Sequence, residues 1–413
     1  MTAPIERAKR LGDWWTGRRP ILLALLLLLL ALLTVQRLED GFSRLLWAPA
    51  EAIDLKIRRA ETRNWFAGQP VYTHQAAVYP PASFALLWPL LGWLPLDAAR
   101  RLWAITSLAA LAWLAALFVR ESAVQSRLAR ACVALLPLSV YATRAVIVNG
   151  QVILHELAVL ITGLIVLHRG QPGWRRDLGG GALILLGLVK PTVAGPFLWL
   201  LITAKGWVRP TVLVGLGYLG LTIVAMAFQP SGSIVLVRQW LAGAVKDAVR
   251  ASPGAHANLH SWLGALRLEA YDAPLSLLVL AMLGWWIVRF SREDLWLRLG
   301  MAALVARFWS FHFRYDDVLI VLPMITLIRL TGDRAASDRS RRAARVLLAL
   351  TGATLLAPAR LFFLPWPWTA LFEAGQTIVW LALLGFLAVP AWRGARPVTS
   401  APAPRGETSG AGA

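Results

Sequence analysis

The sequence predicts an all-α, polytopic membrane protein with about twelve transmembrane helices. Three observations carry that expectation. The chain is 58% hydrophobic and only 15% charged, against roughly a quarter charged in ordinary soluble domains. Apolar runs recur at the length, about 17–25 residues, that lets a helix cross a bilayer. Alternate connections between them are short and basic, the bias that holds such loops in the cytoplasm.

Taken in order, the first apolar run is ILLALLLLLLALL, after Arg18-Arg19. TVQRLEDGF follows it in place of a small-residue cleavage site, so it reads as a retained helix at 20–35 with a cytoplasmic N-terminus rather than a signal peptide. Further spans are expected at 100–120, 130–148, 152–168, 178–190, 191–204, 210–228, 274–290, 296–310, 317–330, 346–363 and 375–392. Lys190-Pro191 joins two of them and predicts a kink or break, because proline lacks a backbone donor and clashes with the preceding turn.

The connections 121–129, 169–177, 205–209, 291–295 and 331–345 then fall inside, and each is basic, as in HRGQPGWRR and RLTGDRAASDRSRRAAR. A crossing at 79–95 (YPPASFALLWPLLGWLP) would reverse them all, so that stretch is expected to be a short juxtamembrane or re-entrant helix on the outer face. One domain covers 1–395, with a first outer loop at 36–99 and a second large one at 229–273. The tail at 396–413, ending in the low-complexity TSAPAPRGETSGAGA, predicts disorder.

The net charge of +20 would suit nucleic acid, but the basic residues lie between apolar segments and no basic domain stands apart. The single cysteine, Cys132, rules out an intrachain disulfide and argues against a cysteine-based metal site. Twenty-one tryptophans suit the two interfacial belts. No glycine-rich strand–helix fingerprint for a soluble nucleotide sugar occurs. A transporter or lipid flippase is the competing class, but related halves with matching interrupted helices are not evident.

On this topology the polar groups suited to acid–base work gather on the outer side, in the 36–99 loop, in VNGQVILHE, in GAHANLHSWLGALR and in FHFRYDDV. The order Asp54, GQPVY (68–72), YPP (79–81), LWPLLGWLP, RLW, NGQ (149–151) and GLVKP (187–191) resembles glycosyltransferase family 87, over roughly residues 35–330. That resemblance implies a C-type multispanning enzyme of the bacterial inner (plasma) membrane, with cytoplasmic termini and an extracytoplasmic (periplasmic) active site. It implies a polyprenyl-phosphate sugar as donor, mannose by preference and arabinofuranose next, and a lipid or glycan hydroxyl as acceptor. Membrane lipids are the expected partners, with no nucleic acid. The resemblance also places a catalytic base at Asp54, upstream of Gly68 and Tyr72. The chain departs from mannosyltransferase members where Asp316-Asp317 stand before VLIVLP in place of a histidine pair, and where Leu259-His260-Ser261 replaces Asn-Gln-Ser.

Glycosyl transfer from a lipid phosphate needs a base for the attacking hydroxyl and cations or donors for the departing phosphate. Asp54 is the candidate base; its plain alternative is a surface partner of Lys56, Arg58 or Arg59, and Glu51 and Glu61 are its rivals. Lys190 is the only lysine within an apolar stretch, a costly placement that marks it for the donor phosphate unless it snorkels to the headgroups. His312 and Arg314 either assist it or anchor the interface.

Asn149 and Gln151 would cap helices or contact sugar, and Tyr72 and His74 complete the first loop. His155 and Glu156 open the next helix, either as an intramembrane pair or in a functional role. His256, Asn258 and His260 suggest acceptor recognition more than a metal, since His-x-Asn-x-His is no established ligand spacing. Asp316 and Asp317 would bind sugar hydroxyls, pair Arg314, or hold a divalent ion. No Asp-x-Asp with partner carboxylates occurs in the first loop, so no metal and no cofactor beyond the donor lipid is expected.

Overall fold

The computed structural model describes residues 3–74, 77–249 and 258–389. Every regular element among them is helical. His256 and the tail at 396–413 lie outside the described residues.

The chain opens with α1 (Ala3–Trp47), which runs on past the end expected at residue 35, so the 36–99 segment begins as helix. The reason is Arg37. Its guanidinium is buried and donates to the carbonyls of Ser139, Leu356 (2.8 Å) and Ala357 (3.2 Å), so the charge is satisfied without unwinding the backbone. Three short helices follow: α2 (Ile53–Phe66), α3 (Val71–His74) and α4 (Pro81–Leu87), the last continued by a π-helical turn, Trp88–Gly92. At about 1.5 Å per residue, Pro81–Gly92 is too short to cross a bilayer core of about 30 Å.

Next come α5 (Leu96–Glu121), α6 (Arg127–Ser139) and α7 (Tyr141–Asn149), the last two bent by 42° at their junction. Then α8 (Ile153–Arg169) packs on α9 (Trp174–Leu186), and a 3-10 turn, Gly187–Val189, leads to α10 (Pro191–Leu198). Gly163 and Gly180 permit the close approach of α8 to α9: a Cβ on Gly163 would meet the Gly180 carbonyl oxygen at 2.9 Å. The remaining helices are α11 (Val208–Met226), α12 (Ser233–Val249), α13 (Leu259–Ala265), α14 (Asp272–Arg289), α15 (Leu295–Phe308), α16 (Val321–Gly332), α17 (Asp338–Leu356) and α18 (Trp368–Ala388).

Each of the twelve expected spans falls on a helix or a helix pair, but length and composition qualify fewer of them. Five stretches are long and apolar enough to cross: Pro20–Trp47, α5, α11, Glu269–Arg289 and α18, with the bent α6–α7 pair as a sixth. The others are shorter than that, or, like α17, carry too many charges. In α15 every residue from Trp296 to Phe308 is buried, Arg298 and Arg307 included, so protein surrounds it. The qualifying helices instead show large apolar side chains on their outer faces, such as Ile21, Leu25, Leu216, Leu277 and Ile378. Lipid solvates such faces at no cost.

One group of connections, the basic set at 121–129, 169–177, 205–209 and 291–295, is tied by two polar clusters. Buried Glu121 receives hydrogen bonds from Arg169 (2.7 Å), the Trp296 indole (3.0 Å) and Arg120 (3.2 Å), and Arg329 donates to its carbonyl and to Asp294 (2.8 Å). Asp177 is paired by Arg176 and by Arg209 (3.2 Å), and Arg176 also donates to the Lys205 carbonyl (2.8 Å). The sequence scatters these residues; the fold gathers them at one end.

Candidate active site

A second polar gathering is built around two backbone breaks. The first is Asn149-Gly150-Gln151. Gly150 ends α7 in the left-handed region (φ 68°), and a Cβ there would lie 2.6 Å from the Cβ of Leu55. Only glycine allows α2 to seat so closely on the α7–α8 junction, where the Ala52 amide donates to the Val148 carbonyl (2.9 Å). That docking carries Asp54, one residue from Leu55, to Gln151, whose side-chain amide donates to the Asp54 carboxylate. Arg100 pins the preceding elbow by donating to the carbonyls of Ala48 (3.1 Å) and Glu51 (3.2 Å).

The second break is Lys190, extended (φ −121°, ψ 85°) between the Gly187–Val189 turn and α10, with Pro191 opening the new helix. A residue before proline avoids helical angles, so the interruption is dictated locally. Its ammonium bridges both oxygens of Asp316 at 2.8 and 2.9 Å and lies 5.3 Å from the centre of the Tyr315 ring. Asp316 is fully buried and is also 2.9 Å from His312 Nδ1. Asp54 stands within electrostatic reach of Lys190, Asp316 and Arg58.

These groups lie outside the spanning helices, and their protonation follows from their surroundings. Burial pushes the Asp54 carboxyl above its ordinary value, against the Gln151 hydrogen bond and the positive charges of Arg58 and Lys190. Asp316 also feels burial, but Lys190 and His312 outweigh it and hold that carboxyl below the usual range. Burial pulls His312 down to about 4 despite Asp316, so the ring is neutral near pH 7. Its Nδ1 then donates to Asp316, while Nε2 is buried without a hydrogen-bond partner.

Several expected members lie elsewhere. Residues 314–320 form a 3-10 turn, in which side chains three apart eclipse. Arg314 and Asp317 therefore share a face turned to α18: Arg314 pairs with Glu373 (3.1 Å) over the Phe362 ring, and Asp317 pairs with Arg307 and accepts from Tyr141, itself bonded by Gln376 (3.0 Å). Arg314 and Asp317, expected at the phosphate and the sugar, thus have other partners here, and Asp316 pairs with Lys190 where Arg314 was one expected alternative. His312 joins the gathering through Asp316.

Asn149 donates to the Ala145 carbonyl (2.9 Å) of its own helix. His260 lies 3.0 Å from Asp272, at the start of α14. Asn258 caps α13, accepting from the Ser261 amide (2.9 Å), and its amide reaches the His312 carbonyl (3.4 Å) from behind. Tyr72 donates to the Tyr79 carbonyl (2.8 Å) and meets the Trp65 ring edge-on, bracing the loop. His74 closes α3. The alternatives for Asp54 also find other partners: Glu51 pairs with Arg44, Glu61 with Arg58, and Arg59 donates to the Leu94 carbonyl (2.7 Å).

Tyr315, and Tyr79 under the Arg58 guanidinium at 4.4 Å, belong to the gathering although the sequence did not single them out for it. Their position beside Asp316 and before Pro80-Pro81 was the available signal. Among the described residues no three His, Cys, Asp or Glu side chains group as a metal site would.

The family model for glycosyltransferase family 87 matches residues 77–323, more than half of the chain. The chain belongs to glycosyltransferase family 87. Searches of curated proteins and of solved structures return no match. As a family 87 member this is a membrane glycosyltransferase, and the match spans Lys190, His312 and Asp316 while beginning after Asp54. The arrangement has chemical parts suited to glycosyl transfer: a half-buried carboxylate within electrostatic reach of a cation, whose own partner Asp316 is bonded to a neutral imidazole.

Proposed function

We propose that this glycosyltransferase moves a sugar, mannose first and arabinofuranose second, from a polyprenyl-phosphate carrier to a lipid or glycan hydroxyl, on the extracytoplasmic face of the bacterial inner membrane. The observation that carries the reading is that Asp54 and Lys190, 136 positions apart in the chain by their numbering, come within electrostatic reach of one another. There Asp54 takes the proton of the acceptor hydroxyl as its oxygen bonds to the sugar's anomeric carbon. The bond from that carbon to the phosphate oxygen breaks, and polyprenyl phosphate departs with the electron pair. Positioned proton transfer of this kind is worth roughly 10²–10⁴ in rate.

Lys190 steadies the departing phosphate. Two of its hydrogen-bond directions are held by Asp316, leaving the third for the ligand. Arg58, paired with Glu61, is a second cation within electrostatic reach of Asp54. A low-dielectric surrounding makes these charges act more strongly than in water. Twelve crossings with the basic network inside, as the charge bias of the loops supports, would put Asp54 outside.

The test is transfer from labelled polyprenyl-phosphate-mannose, and from the arabinofuranose analogue, by the purified chain in lipid. Asp54→Asn is expected to lower kcat by roughly 10²-fold or more with the fold intact. Transfer at the wild-type rate in that variant would remove the base assignment.

A further inference from the structure

Buried polar atoms in native proteins are paired, because an unpaired one carries its full desolvation cost. Around Lys190 His312 Nε2 departs from that rule, and so do four more atoms. Glu156, in the first turn of α8, is 1% exposed, and neither of its carboxyl oxygens has a hydrogen-bond partner. Ser83 of α4 is 0% exposed, and its hydroxyl and that of Tyr218 on α11 have only each other, without a bond of good geometry.

The three side chains come from elements that close around one point. Helix α4 packs on α11 and on the Gly187–Val189 turn, and α8 packs on the same turn. Glu156 is within electrostatic reach of Lys190, Asp316, Tyr79 and Tyr218, and the Ser83 and Tyr218 hydroxyls lie side by side. These atoms therefore gather in the same part of the fold as the cation assigned to the carrier phosphate.

We infer that Glu156, Ser83 and Tyr218 form the subsite that holds the hydroxyls of the donor sugar. A prenyl chain offers no hydrogen bonds to these groups, and the phosphate is already assigned to Lys190. A hexose or pentose offers several hydroxyls that donate to a carboxyl and exchange bonds with Ser83 and Tyr218. It would also sit one bond from the phosphate at Lys190. This inference rests on the donor reading given above.

The experiment measures binding of bare polyprenyl phosphate and of its mannose, glucose and arabinofuranose conjugates to the full chain in nanodiscs. The proteins are wild type, Glu156→Gln and Ser83→Ala, the last removing one oxygen with little change of volume. In wild type at least one conjugate is expected to bind roughly tenfold more tightly than the bare carrier. Either variant is expected to lose most of that gain while holding bare-carrier affinity.

Three results would overturn the subsite. One is a full gain in both variants; another is equal weakening of bare and conjugated carriers. The third is a wild type that binds bare carrier and gains from no sugar. A wild type that binds polyprenyl phosphate no better than polyprenol fails differently, because it removes the donor reading itself.

Discussion

At Asp54 two opposed influences meet, and the balance is experimentally separable. Burial favours the neutral acid, while Gln151 and the nearby cations favour the carboxylate. A base works only when deprotonated, so kcat/KM should rise with pH along an acid limb whose midpoint lies above the ordinary 3.8 of this side chain. Gln151→Leu removes a bond to the charged form and should move that limb to higher pH. Lower activity with an unmoved limb would show Gln151 to be packing alone. The sign for stability is also defined. A raised carboxyl favours the fold below its unfolded value and loses that contribution as pH rises through the folded one. His312, pulled down to about 4, acts oppositely. Its contribution is present above its unfolded value of 6.5 and is lost as pH falls through about 4.

On the scale of elements, the site depends on where helices stop. Gly150→Ala would force a β-carbon into Leu55 at a positive φ, a strain of roughly 1–3 kcal/mol. We expect a lower Tm and a larger loss of kcat than of folded protein, because α2 and Asp54 move together. Lys190 and Asp316 form a second unit. Lys190→Met leaves Asp316 fully buried without its ammonium, and breaking such a pair typically costs about 3–5 kcal/mol. Lys190→Met with Asp316→Leu should recover much of that stability in thermal unfolding and none of the transfer, separating the structural from the chemical use of the pair.

These elements also show what the sequence made legible. Lys190-Pro191 announced its break, and an apolar lysine announced its importance, because both signals are local. The pairing of Lys190 with Asp316 was not local. It required knowing which side of a 3-10 turn faces α10, and one residue of rotation sends Asp317 to Arg307 instead. Glu156 was noticed, but only the surrounding helices reveal that its carboxyl oxygens are unpaired.

For the whole molecule, the two polar gatherings set the remaining prediction. The network around Glu121 joins short basic connections, while Asp54 lies in the longer 36–99 segment, where Arg58, Arg59 and Arg63 weigh less in the charge bias. Positive charge resists translocation, so the Glu121 end should lie in the cytoplasm and Asp54 outside. Reporter fusions at residue 335, next to Arg334 and Arg339, should read as cytoplasmic, and fusions near 230, between α11 and α12, as external. An inverted result at both sites would place the chemistry in the cytoplasm. A donor presented at the outer leaflet could then not reach Lys190, even if Asp54 kept its place beside it.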